Sequence, residues 1–229
     1  MIPTMHPDAD LAAAHAPILR FDRAEPFLPS RVGYSVLRSR GDSAVDPRRR
    51  SGEGTPLEFD LPGVEAIIEY GIWWDWEIQH LYELEAAWVY VGDERVLRVE
   101  ASWHGRFHEM QVEGKPPLRD RRPVLYSQPG KHAFAPEPGW FEPREAYIEP
   151  CRDTAGSMGL LVTSLFEGRI VKSPQDDARV SAYLRSRAFT PTFIFDREFS
   201  VEPAHLCPWP ELKEWIPGRI AAILEASEW

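Results

Sequence analysis

IIEYGIWWDWEIQHLYELEAAWVYVGDERVLRVEASWHG, residues 67–105, holds three apolar runs separated by short polar ones. Residues 67–74 and 85–91 are brief and rich in β-branched and aromatic side chains, the composition of buried strands. Gly92-Asp93 closes the second run with a turn. Residues 96–103 alternate: Leu97, Val99, Ala101 and Trp103 face one way, and Arg98, Glu100 and Ser102 the other, the period of a strand. Short connections make these three strands antiparallel neighbours.

Upstream, residues 15–37 carry two apolar runs broken by prolines, as expected of edge strands. Residues 124–126 and 132–134 flank a Gln-Pro-Gly turn, and residues 193–199 resemble another strand. Residues 176–187 have the spacing of a short helix. Residues 210–227 read as a terminal helix broken near Pro217, with Ile220, Ile223 and Leu224 on one stripe. The expectation is a mainly-β protein, an antiparallel β-sandwich with peripheral helices. It is a single domain over residues 15–229, after a flexible leader at 1–14. Residues 38–56, rich in Arg, Gly, Ser and Pro, form a mobile loop.

The 229 residues suffice for one substantial core. Nine Trp and 22 Pro favour short strands joined by proline-punctuated loops over long helices. A formal charge of -10 argues against nucleic acid or an anionic membrane as the main partner, because both need a basic face. No apolar stretch is long enough to span a bilayer. The N-terminus lacks a basic region followed by an apolar one, so the expected location is the cytoplasm. Cys151 and Cys207 leave a disulfide and two reduced thiols both open.

Between the first two strands lies DWEIQHLYELE, residues 75–85, with Asp75, Glu77, Glu83, Glu85 and His80. Carboxylates flanked by core-forming sequence are costly to bury unless their charge is offset. A divalent cation does this economically. Glu83 and Glu85, two apart, share a strand face; Asp75 ends the preceding strand and His80 lies in the connection. Asp75, His80, Glu83 and Glu85 are the expected ligands. Oxygen donors suit Ca²⁺, Mg²⁺ or Mn²⁺, and the imidazole admits Zn²⁺ or Fe²⁺. The plainer alternative makes these residues solvated, with His80 a local hydrogen-bond partner. His104 and His132, at strand ends, are candidates to reach the same place; alone, each is a turn or core histidine. There is no Gly-rich phosphate loop, HExxH or CxxC pair. AGSMG, residues 155–159, lacks the first glycine and the preceding strand of a nucleophile elbow.

Three motifs in order carry a family resemblance. QHLYELE (79–85) is similar to the GHRHDWE run, with His80, Glu83 and Glu85 at its first histidine, its aspartate and its glutamate. Ser102-Trp103-His104-Gly105 and the spaced Tyr126, Gly130, His132 and Ala133 follow. The opening HAPILRFDRAEPFLPS resembles the start of Vps62-type chains. Over residues 15–136 the chain thus resembles the β-sandwich superfamily of NPP1-like necrosis-inducing proteins and Vps62-related (DUF946) proteins. The resemblance implies an antiparallel sandwich with a divalent-cation site built from the upstream aspartate, the histidine and the acidic pair. Tyr82 and Leu84 stand where the family has a second histidine and a tryptophan.

The expected function is a metal-dependent hydrolase, in which the cation polarises a substrate oxygen or activates water. His104, His132 or Glu85 would move protons. The alternative is a non-catalytic module in which the cation orders loops around a small molecule, a glycan or a lipid headgroup. A purely structural metal is the third reading.

Overall fold

The computed structural model describes residues 7–39, 44–45 and 56–226. In chain order these form α1 (Pro7–Ala14), β1 (Ile18–Phe21), β2 (Arg31–Leu37), β3 (Ala66–Trp76), β4 (Leu81–Gly92) and β5 (Arg95–Trp103). Then come β6 (Arg106–Glu109), β7 (Leu118–Arg119), β8 (Arg122–Ser127), β9 (Phe134–Ala135), α2 (Glu145–Arg152), α3 (Pro174–Ser186), β10 (Arg197–Ser200), β11 (Leu206–Pro208) and α4 (Trp209–Glu225).

The strands build two sheets: six strands in the order β11-β2-β3-β4-β5-β6, and five as β10-β1-β8-β7 with β9 beside β8. The apolar run of β3 becomes the middle of the larger sheet, buried continuously from Ala66 to Trp74. It pairs antiparallel with β4, and β4 with β5, as the hairpin-length connections require. Between the sheets Trp74 meets Phe21 and Phe134 at centroid distances of 6.4 and 6.1 Å. α4 covers the outer face of the larger sheet through buried Trp209, Leu212, Ile216, Ile220 and Ile223. Burying each such aliphatic side chain contributes about 1.5–3 kcal/mol.

Four sequence expectations need correction. The sheets are mixed, because β1 runs parallel to β8 and β11 parallel to β2. Both pairs join segments far apart in sequence, which allows the long crossover that parallel pairing needs. Next, β1 and β2 are interior strands rather than edges; Pro17 and Pro29 fall just outside them and Pro26 midway between them, so no ladder donor is lost. Third, residues 7–14 are a helix, not a loose leader. Ala12 is fully buried, and its carbonyl accepts a hydrogen bond from Tyr70 Oη at 2.7 Å. Fourth, α4 continues through Pro217.

Most of the loop expected at 38–56 lies outside the described residues. Within it, Val45 is buried, and the Ala44 N–H donates to Glu69 Oε2 at 3.1 Å. Cys151 and Cys207 are free thiols. Among the described residues no helix is long and apolar enough to cross a membrane.

Candidate functional site

The connection between β3 and β4, residues 77–80, is held from inside by one carboxylate. Glu77 is fully buried, and its Oε2 accepts the backbone N–H groups of Gln79 (2.8 Å) and His80 (3.0 Å). Two neighbouring loops brace it. The Met158 N–H donates to the Gln79 carbonyl and the Gly156 N–H to the Ile78 carbonyl, so AGSMG serves as backbone support. On the other side the Ile78 N–H donates to the Gly130 carbonyl at 3.0 Å. Gly130 sits at φ +69°, where a Cβ would come within 2.7 Å of Ile78 and 2.9 Å of Cys151. Only glycine allows that approach, and it brings the next residue, Lys131, against Glu77. Lys131 Nζ lies 2.5 Å from Glu77 Oε1 and donates to Gln79 Oε1 at 2.9 Å.

Beside this knot a cavity of about 350 Å³ opens, lined by Glu83, Glu85, His104, Lys131, Tyr82 and Thr163, with Val45, Leu84, Gly105, Ser164 and Leu165 completing the wall. Glu83 and Glu85 share it because they are two apart on β4. The Ser102 hydroxyl donates to Glu85 Oε2, while Glu83 Oε1 accepts the Leu84 N–H. His104 occupies the β5–β6 hairpin, where Trp103 pairs with Arg106 and the two linking residues, His104 and Gly105, have φ of +46° and +78°. That is the left-handed backbone a two-residue hairpin needs. Its Nε2 lies 2.6 Å from Gln128 Oε1, which accepts the imidazole proton. Burial pushes the Tyr82 phenol above its ordinary pKa, so it remains a neutral hydroxyl; its oxygen accepts the Thr163 N–H at 3.1 Å.

His80, 6% exposed, sits behind the pocket wall, with Nε2 3.3 Å from Glu77 Oε2 and 3.7 Å from Glu83 Oε2. His80, Glu83, Glu85 and His104 are thus gathered in one region. Asp75 is not. Trp74 pairs with Glu83 and Trp76 with Leu81, so Asp75 falls opposite Tyr82, out of step with both glutamates. Alternation turns it to the outer face, where Arg219 of α4 grips both its oxygens at 3.0 and 2.8 Å. His132 also stays out of the cavity. It is fully buried, stacks on Trp74 at 4.6 Å and 8°, and places Nε2 3.4 Å from Glu25 Oε1. A proton-moving role at the pocket is therefore not its position; it is a core histidine.

The four-ligand cation site implied by the resemblance does not fit these residues. Asp75 is engaged by a guanidinium on the other face, and an ammonium already compensates the deepest carboxylate. Among the described residues no group of three or more His, Cys, Asp or Glu is arranged to hold a metal ion. Sequence reading missed Lys131 and Gln128 as parts of the site, and named Glu77 only as a member of the acidic run and not as a ligand. The one available signal was the Pro-Gly pair before Lys131, which marks a tight turn but not its neighbour in space.

No protein-family model matches the chain, and no curated protein matches it significantly. Two solved structures overlap it in part. One is necrosis and ethylene inducing protein 2 from the causal agent of cocoa's witches' broom disease: 15% identity, TM-score 0.34, covering 54% of this chain and 66% of that one. The other is a mutant of the protein NLPPya: 16% identity, TM-score 0.32, covering 69% of this chain and 86% of that one. Each is a likeness in part of the chain path, and neither gives a residue its role.

Proposed function

We propose that the pocket at the start of β4 takes a small hydroxylated ligand, a glycan unit or the sugar-like headgroup of a lipid, and that the protein is a binding module. One observation supports this reading: Glu83, Glu85, His104, Lys131, Thr163 and Ser164 line the same cavity. Carboxylates accept hydrogen bonds from neighbouring hydroxyls, whereas an ammonium and two side-chain hydroxyls donate to them. Leu84 and Leu165 give the carbon face of a ring something apolar to lie against.

Calorimetric titration with a panel of mono- and disaccharides, and separately with vesicles bearing sugar headgroups, tests this. Glu83→Gln should weaken the best ligand about tenfold or more, because a charge-assisted hydrogen bond is worth about 1.5–3 kcal/mol. A panel with no binder, or a variant that binds as the parent does, sinks the reading.

A hydrolytic version has its own support. Glu85 and His104 face one cavity, each steadied by a polar neighbour, Ser102 and Gln128. Such a pair suits proton transfer in both directions. In that case Glu85→Gln abolishes product release from a bound ligand while the ligand still binds. Unchanged turnover in the variant removes this version and leaves the binding module.

A further inference from the structure

We infer that Lys131 Nζ fills the seat a divalent cation would otherwise take beside Glu77, so that the site carries its compensating charge on its own chain. Glu77 is fully buried, and the backbone N–H groups on its Oε2 leave Oε1 facing the ammonium at 2.5 Å. Gln79 Oε1 is the second oxygen on Nζ, at 2.9 Å. His80 Nε2 stands 3.3 Å from the same carboxylate and 3.7 Å from Glu83. An oxygen-lined recess with an imidazole beside it is the kind of donor set that holds hard or borderline cations. Here a compact ammonium with three donors occupies it.

The ammonium is a fixture rather than a passing contact. The Lys131 side chain is only 15% exposed. Its loop is tied to the Glu77 loop by the hydrogen bond from Ile78 to Gly130, and to Glu25 by the Gly130 N–H at 2.7 Å. Asp75 likewise has its charge met from within the chain, by Arg219 of α4. A divalent ion entering the recess would have either to expel a tethered ammonium or to share the space with its positive charge. Lys131 also lines the adjoining pocket, but metal content and melting are read without any pocket ligand, so this inference and the binding reading fail separately.

The test uses the full chain, purified without chelator and dialysed against Ca²⁺, Mg²⁺ and Mn²⁺, then analysed for metal and melted with and without EDTA. Wild type is expected to hold no stoichiometric divalent ion and to melt alike in EDTA and in millimolar Mn²⁺. Lys131→Ala should lower Tm by about 10 °C, the scale of stranding one buried charge in a chain this long. Millimolar Mn²⁺ or ethylammonium should restore part of that loss. Glu77→Gln/Lys131→Met, with both charges removed, should recover most of the loss and ignore Mn²⁺. Stoichiometric metal in wild type with a chelator-sensitive melt overturns the inference. So does a Lys131→Ala melt equal to wild type, or one lowered but indifferent to both added cations. If Lys131→Ala does not fold, the double variant decides alone: near-wild-type melting supports the inference, and failure to fold overturns it.

Discussion

A fully buried side chain in this protein takes its role from the two or three groups nearest to it. His132 lies flat on Trp74 with Glu25 at one ring nitrogen, a geometry that fixes the ring as a packing element. Cys151 is a second case. Its Sγ donates to the Pro129 carbonyl at 3.2 Å, and burial pushes the thiol well above its ordinary pKa. Burial raises Cys207 as well. The thiolate is the reactive form, so iodoacetamide at pH 8 should label neither cysteine in the native protein and both after denaturation without reductant. Mass spectrometry reads the outcome; rapid native labelling of Cys151 refutes its burial, and absence of labelling after denaturation refutes the free thiols. At this scale the sequence was legible only where strand parity acts alone. Glu83 and Glu85 share a face at any register. The face of Asp75 depends on how many residues the 77–80 connection holds, and a slip of one reverses it. The composition of DWEIQHLYELE does not contain that count. Nor could Lys131 be assigned, because its partner is reached through a tertiary contact rather than a local one.

At the scale of elements, α4 shows packing overriding propensity. Pro217 removes a backbone donor and crowds the preceding turn, at a cost of about 3 kcal/mol in a helix interior. The helix persists because buried residues stand on both sides of it, Leu212 and Ile216 before and Ile220 and Ile223 after. Breaking the helix at the proline would expose one half of that stripe. Pro217→Ala should therefore stabilise the protein, by about 1–2 kcal/mol once the greater freedom of the unfolded chain is counted. Urea unfolding measures it, and a lower midpoint in the variant contradicts the account. The apolar stripe of α4 was legible from spacing, as was α3, whose Ser173 and Asp176 form a reciprocal cap. α1 was not. PDADLAAA has no apolar stripe, and it is ordered through one backbone carbonyl offered to Tyr70 and the close fit of Ala12.

The whole molecule is layered, with α4 outside the six-stranded sheet and the five-stranded sheet against its inner face, so β3 and β4 lie deepest. Their burial runs unbroken over Ala66–Trp74 on β3 and Ala86–Gly92 on β4. A strand covered on both faces is apolar at nearly every position rather than at alternate ones, which is why residues 67–74 and 85–91 could be read as strands from composition. Buried Glu69, with its hydrogen bond from Trp88 Nε1, is an exception. The smaller sheet carries its exposure at its ends: β7 is exposed at both residues, and β10 has no buried one. Opening β3 would remove a partner on each side and uncover Trp73 and Trp74 together, whereas β7 can detach with little apolar area lost. Local opening energies follow such differences, from near zero at exposed edges up to the global stability in the core. Native-state hydrogen exchange should accordingly rank the amides of Ile68–Ile72 slowest, opening only with global unfolding, and those of β7 and β10 among the fastest of the strands. If β3 exchanged as readily as β7, the larger sheet would not be the stable centre, and the pocket at the start of β4 would lack the rigid wall that the proposed ligand contacts require.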